Sequence, residues 1–281
     1  MTDLEYHAHP AMGREQLLLL ADSPELFHAV ESGAVSRAEA RQLLDSTSPP
    51  RSKSDVFAIG EGVHRMVFEP DTVEWRFQVI DPRVLTANGQ RRGKSWERYE
   101  AHWRERGKVL VTATQLALIK AVSKAVKPII EQLTADDAIL EQPLFWDEVV
   151  TVDGEPFTIP CRGKPDYLLV RPGLGLCMDL KTCNDPRKFQ YDAERWRLWM
   201  QAVHYMAGVK AKYGIVPRWY WIAVSKTFPF RVRVKEMDEK SHADAWDRRQ
   251  QLLEEYVERT RSGDWSDPVD ADIETLHVQV N

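Results

Sequence analysis

The sequence predicts an α/β fold: a mixed central sheet flanked by helices, with a helical N-terminal portion in front. Three observations carry this. Residues 140–182 are strand-rich, with short apolar runs broken by the turn pairs Asp153-Gly154 and Pro172-Gly173. Upstream, apolar residues recur at helical spacing, as Val56, Ile59, Val63 and Val67 do. Downstream, a long helical stretch leads into two more strand-like runs at 219–224 and 230–234, the alternation expected of α/β folds.

Taken in order, residues 14–44 read as two helices interrupted near Asp22-Ser23-Pro24. Ser23 is a good N-cap there, with Pro24 at the first helical position. A loop with two prolines covers 46–54. Ser54 or Asp55 then caps a helix running to Phe68, which Glu69-Pro70 ends. Residues 72–80 read as a strand and 88–94 as a polar, basic loop. Helices follow at 95–106 and 113–134. After the strand-rich run, Asn184 or Asp185 caps a helix from Pro186 to about Lys212. A last helix spans 237–261. At 281 residues the chain accommodates one large domain. The expected division is a single domain over 1–265, with the helical portion at 1–50, and an acidic, loosely ordered tail at 266–281.

Composition narrows the function classes. Hydrophobic content of 43% and charged content of 29% are ordinary for a globular protein. No apolar run is long enough to span a bilayer, and MTDLEYHAHP lacks the basic-then-apolar pattern of a signal peptide, so a cytoplasmic location and no membrane partner are expected. Cys161, Cys177 and Cys183 form no CxxC pair, which argues against a disulfide framework or a zinc site. The net charge of −5 does not advertise nucleic-acid binding. Local charge matters more. Asp and Glu concentrate near the C-terminus, at Asp264, Asp267, Asp270, Asp272 and Glu274. Basic residues gather at Arg91, Arg92 and Lys94, at Arg104 to Lys108, at Lys120 to Lys127 and at Arg187-Lys188.

The most informative stretch is GKPDYLLVRPGLGLCMDLKT, residues 164–182 with Gly163 in front. Asp166 lies six positions before Pro172, and Asp179 six after Gly173. If Pro172-Gly173 is the turn centre, the two aspartates are cross-strand neighbours, with Cβ atoms roughly 4.5–5.5 Å apart. Lys181, two residues beyond Asp179, projects from the same face. Gly175 offers a longer loop as an alternative, which would shift that register. Paired carboxylates repel unless a cation intervenes. A hard cation with oxygen ligands, Mg²⁺ or Mn²⁺, resolves this, and can polarise a phosphodiester and acidify a bound water. The lysine can orient that water or stabilise charge on the phosphate.

Pro165-Asp166 with Asp179-Leu180-Lys181 resembles the PD-(D/E)xK nuclease superfamily. The segments YHAHPAMGREQLLLLADSPELFHAV, GEGVHRMVFEP, NGQRRGKSWERYEA, PD…DLKT and QAVHYMAG resemble one branch of it, the RecE-like (exonuclease VIII-type) phage recombination exonucleases. These segments span residues 6 to about 208. The resemblance implies a restriction-endonuclease-like core and a Mg²⁺-dependent exodeoxyribonuclease acting on ends of linear double-stranded DNA. It implies 5′→3′ degradation of one strand, leaving a 3′ overhang for a single-strand annealing protein, and a homo-oligomeric ring, trimeric or tetrameric. A ring would let basic residues line a channel while the outside stays acidic. An endonuclease or single-strand-specific nuclease of the same fold, and a DNA-binding module without catalysis, are the alternatives. The three cysteines exclude the four-cysteine iron–sulfur cluster that some relatives carry.

By the same resemblance, Asp166, Asp179, His64 and the backbone carbonyl of Leu180 ligate one or two metal ions, and Lys181 assists the attacking water. A lone histidine beside an apolar helical stripe usually packs in a core. The Gly60–His64 spacing, however, matches the GxxxH motif whose histidine contacts metal. Gln201 and Tyr205 match the QxxxY motif and are expected to line the site, Gln201 positioning Lys181 or a phosphate and Tyr205 contacting DNA. Helical spacing puts them opposite a stripe formed by Trp196, Trp199, Met200, Val203, Met206 and Ala207. Glu141 is the glutamate expected to complete a second metal site, with Asp147 and Glu148 as competitors. Arg91, Arg92 and Lys94 lie in a loop running into a helix start and are expected to contact the DNA backbone. That loop is not a Walker A sequence, so ATP use is not implied.

Overall fold

The computed structural model describes residues 3–44, 53–133 and 135–268. Most of the loop expected at 46–54, and the tail beyond residue 268, lie outside the described residues, as do the side chains of Ser54, Asp55 and Val56. Helices α1 (Asp3–Ala8), α2 (Arg14–Asp22), α3 (Pro24–Glu31) and α4 (Arg37–Leu44) form the N-terminal portion. The Ser23 hydroxyl accepts the Leu26 amide and Pro24 occupies the first turn of α3, as expected. The stretch holds three helices after Gly13 rather than two, because α3 ends at Ser32 and Gly33 takes a left-handed φ of +78°. Asp267 returns to this cap, bonding Ser23 Oγ and the Glu25 amide.

Next come α5 (Lys53–Phe68), α6 (Val73–Arg76), β1 (Phe77–Val79), α7 (Lys94–Arg104), β2 (Val109–Val111) and α8 (Ala113–Leu133). The strand expected over 72–80 is therefore mostly helical. Pro70 opens a 3₁₀ turn, and Arg76, at the end of α6, is held by Glu61, leaving three residues to pair in parallel with β2. Helices α5 and α8 approach closely at Gly62, where an added Cβ would come within 2.5 Å of Ile119.

The rest comprises β3 (Ile139–Leu140), β4 (Leu144–Val152), β5 (Glu155–Gly163), β6 (Tyr167–Arg171), β7 (Leu174–Cys183), α9 (Phe189–Arg195), α10 (Leu198–Tyr213), β8 (Arg218–Ser225), β9 (Val232–Lys235) and α11 (Glu239–Ser262). The central sheet has the order β3-β6-β7-β8-β9. It is mixed, since β7 and β8 are parallel and the other pairs antiparallel. Strands β4 and β5 form a separate hairpin turning at Asp153-Gly154, both at positive φ as a two-residue hairpin turn requires.

Alternation along the strands sorts the core into two layers. Met178, Leu180, Ile222 and Val224 pack with Val63, Ile119 and Val122 under α5 and α8. Cys177, Cys183, Trp219, Trp221 and Ala223 face α10, α11 and the β4–β5 hairpin. The cysteines are thus small apolar strand residues, all buried and unpaired. The helix expected over 186–212 is broken: a 3₁₀ turn and α9 precede Arg197, whose φ is +45°. Arg197 pairs with Asp22, and Arg14 holds the Trp196 carbonyl, so the break is tied down from α2. Trp196 is consequently 57% exposed rather than part of the expected stripe. Helix α10 is buried on nearly every side, so Gln201 and His204 sit in the interior rather than on a polar helix surface.

Candidate active site

The hairpin register is the one that a Pro172-Gly173 turn dictates. Arg171 pairs with Leu174 and Tyr167 with Met178, which places Asp166, one residue before β6, opposite Asp179. Gly173 supplies the positive φ at the turn, and Gly175 stays within the ladder. Asp179 and Lys181 therefore share the face turned toward α10, while Leu180 points to the α5–α8 layer. Asp166 does not pair in the ladder. Its Oδ2 accepts the Leu180 amide at 2.8 Å, which clasps the two strands at the level of the site.

Two groups of side chains meet here. In the first, His64 Nε2 lies 2.8 Å from Glu141 Oε1 and 3.2 Å from Asp166 Oδ2. Ligand atoms of His64, Glu141 and Asp166 all lie within 4.8 Å of one another. Glu141 reaches this position with a left-handed φ of +51° and its amide bonded to the Asp166 carbonyl, and its other oxygen pairs with Lys164 at 2.8 Å. The competitors lie elsewhere: Glu148 accepts from Trp146 Nε1 and pairs with Arg249, and Asp147 is exposed. In the second group, Asp179 is wholly buried. Its Oδ1 accepts from Gln201 Nε2 at 2.8 Å, and its Oδ2 lies 2.5 Å from Lys181 Nζ. Asp179 thus stands with Lys181 and Gln201, and outside the three-residue cluster.

The electrostatics separate the two aspartates. Burial raises Asp179 and the nearby Asp166 charge adds to this; despite Lys181, its carboxyl is pushed up to about 6. Burial acts on Asp166 the same way, but the His64 charge and hydrogen bond, Lys181 and the Leu180 amide outweigh it and hold it low. Burial alone would lower His64; its two carboxylate neighbours more than reverse that and hold it well above its ordinary value. One imidazole nitrogen thus draws together two carboxylates where a divalent cation with nitrogen and oxygen ligands would fit. Glu141 Oε1 and Asp179 Oδ2 are buried with His64 and Lys181 as their partners, positions that a divalent cation would share.

Tyr205, one turn after Gln201, packs against Gly163, where an added Cβ would lie 2.7 Å from its ring. Tyr6 lies beside it, and burial raises the Tyr205 hydroxyl well above its ordinary value, so it stays protonated. Tyr6 is brought in by Arg162, which donates to the Tyr6 and Ala11 carbonyls, while His204 bonds the Met12 and Arg162 carbonyls. Arg91 bonds Gln115 and stacks over Trp96, whereas Arg92 and Lys94 are exposed. Sequence reasoning missed the parts played by Lys164 and Tyr6. Lys164, paired with Glu141, is adjacent to the Pro-Asp pair and so was legible; Tyr6 reaches the site only through long-range packing.

A model of a family described as a PDDEXK-like domain of unknown function (DUF3799) matches residues 27–271. Among solved structures, a candidate exonuclease from Eubacterium rectale aligns over 99% of this chain and 96% of its own, at 12% identity and a TM-score of 0.56. A second, SSO0001, aligns over 69% of this chain and 84% of its own at 16% identity, with a TM-score of only 0.27. No curated protein matches the sequence.

Proposed function

Because the chain belongs to the PDDEXK-like DUF3799 family, we propose that it is a metal-dependent exodeoxyribonuclease acting on linear double-stranded DNA. The observation that carries the proposal is the convergence of His64, Glu141 and Asp166 beside the Asp179–Lys181 pair. His64, Glu141 and Asp166 would hold a divalent ion, Mg²⁺ or Mn²⁺, with Asp179 and the Leu180 carbonyl completing its surroundings or those of a second ion. Such an ion, when bound, supplies Lewis-acid activation of a phosphodiester and of water.

The chain's own residues do the rest. Lys181 carries a positive charge to the face where the phosphate would lie, and can orient the attacking water or neutralise the developing charge. Gln201 fixes one oxygen of Asp179, so that the other stays turned toward Lys181. Tyr205, backed by Tyr6, offers a hydroxyl donor for a phosphate oxygen. Arg92 and Lys94 are exposed and able to meet the DNA backbone. Likeness of the segments around these residues to RecE-like enzymes supports a 5′→3′ direction, a 3′ overhang for an annealing partner, and a trimeric or tetrameric ring.

The test is digestion with Mg²⁺ of a linear duplex labelled at either 5′ or 3′ ends, beside a covalently closed circle of the same sequence. The expected result is loss of mononucleotides from the 5′-labelled strand with the circle intact. Cleavage of the circle would replace the exonuclease with an endonuclease. No hydrolysis of any DNA with Mg²⁺ or Mn²⁺ would defeat the proposal.

A further inference from the structure

Glu141 meets the cation cluster through one oxygen while a lysine occupies the other. Its Oε1 lies 2.8 Å from His64 Nε2, and its Oε2 lies 2.8 Å from Lys164 Nζ. The contact is sheltered, the lysine side chain being 18% exposed and the glutamate 10%. Lys164 takes no part in the scheme above.

The backbone fixes this contact from both sides. Lys164 lies in the short link between β5 and β6, immediately before Pro165, whose ring biases the preceding residue toward an extended conformation. Glu141 follows β3, where Leu140 pairs with Tyr167, and its amide donates to the Asp166 carbonyl. Its φ of +51° is one that a glutamate seldom adopts. The carboxylate is thus held with its two oxygens facing different partners, the histidine of the cluster and an ammonium.

That division bears on which cation fits. Ca²⁺ gathers many oxygen ligands and readily takes both oxygens of one carboxylate, whereas the smaller Mg²⁺ demands near-octahedral geometry and keeps several waters. A carboxylate with one oxygen held by an ammonium has only the other to give. The lysine charge opposes every cation nearby. It opposes Ca²⁺ more, because it also withholds the second oxygen that Ca²⁺ can use.

We infer that Lys164 sets the metal preference of the site, restricting Glu141 to a single oxygen ligand and so favouring Mg²⁺ over Ca²⁺. The inference rests on the cation site of the proposed function and adds a positioning residue outside its ligands. The rival is a lysine that leaves Glu141 to meet a DNA phosphate.

The test is Mn²⁺ binding to the full chain without DNA, read by electron paramagnetic resonance of free Mn²⁺ and reversed by adding Mg²⁺ or Ca²⁺. The quantity compared is the ratio of the Ca²⁺ to the Mg²⁺ concentration that displaces half of the bound Mn²⁺. In Lys164→Met both ions should bind more tightly, and the ratio should shift roughly tenfold in favour of Ca²⁺. With Glu141→Gln already in place, adding Lys164→Met should leave the ratio unchanged, because an amide has only one oxygen to give. A wild-type ratio in Lys164→Met, the rival's result, would overturn the inference and leave the nuclease reading standing. So would a shift of the same size in the Glu141→Gln background. If Lys164→Met does not fold, Lys164→Gln is measured in its place and read the same way. Failure of the wild type to bind Mn²⁺ would remove both the cation site and the inference.

Discussion

Replacing Asp179 with Asn is expected to make the metal-free protein more stable while abolishing activity. The carboxyl is wholly buried and is pushed from 3.8 to about 6 by burial and by Asp166, even with Lys181 alongside. A carboxyl held near 6 instead of 3.8 disfavours the ionised form by roughly 3 kcal/mol. Asn keeps an acceptor for Gln201, and Lys181, 29% exposed, can turn to water, so most of that strain should be relieved. A gain of about 1–3 kcal/mol is expected, each kcal/mol worth roughly 2–4 °C in melting temperature for a chain of this size. The sign with pH is fixed. Below the unfolded value near 3.8 both states hold the proton and Asp179 costs nothing. As pH rises through about 6 that relative stability is lost, so the advantage of Asn should be full above pH 6 and vanish near pH 4. Thermal melts in EDTA at pH 7.5 and pH 4 measure it. An Asp179→Asn protein less stable than wild type at pH 7.5, or an advantage that persists at pH 4, would show that the buried carboxylate carries no such penalty.

Lys181→Ala is expected to lower kcat by roughly 10²–10³, the usual cost of removing a charge-stabilising donor, while DNA affinity in Ca²⁺ stays within a few-fold; steady-state digestion would show it, and an unchanged kcat would count against the assigned role. Glu141→Gln is expected to weaken Mn²⁺ binding by at least roughly tenfold, measured by titration calorimetry, since it alters a ligand rather than its support; unchanged affinity would exclude Glu141 from the metal set. His204 is buried, and burial with the Arg249 charge holds its imidazole down at about 3. Its folded value therefore lies below its unfolded one, so stability should fall as pH drops below about 6.5, by up to about 1.4 kcal/mol per pH unit. Denaturation of His204→Gln between pH 7 and 5 should show a shallower slope than wild type, and equal slopes would contradict this.

The hairpin was legible because turn chemistry and the two-residue strand period settle register almost alone. Pro172-Gly173 centres the turn, and Asp166 meets Asp179 as counting requires. His64 and Glu141 were named from the likeness of surrounding segments; the His64–Asp166–Glu141 contacts depend on how α5 crosses the sheet end, which no local pattern encodes. Helix α10 misled for the opposite reason. Its apolar stripe reads as one buried face, but the β4–β5 hairpin and α11 cover the remainder, and Trp146 lies so close to Gly208 that a Cβ there would sit 2.6 Å from its ring. The break at Arg197 was invisible because nothing in RWRLWM marks a left-handed residue; contacts from α2 hold it. Likewise Pro70 ends α5 as expected, yet the following residues coil into α6 because Arg76 is drawn to Glu61 rather than extended into a strand.

On the proposed function, His64, Glu141 and Asp166 form one cation site next to Asp179 and Lys181. Crystals soaked in Mn²⁺ and measured at the manganese absorption edge test it most directly. The expected result is an anomalous peak bounded by His64 Nε2 and the Glu141 and Asp166 carboxylates. A fully ordered site with no peak there, or manganese bound only elsewhere on the molecule, would contradict it.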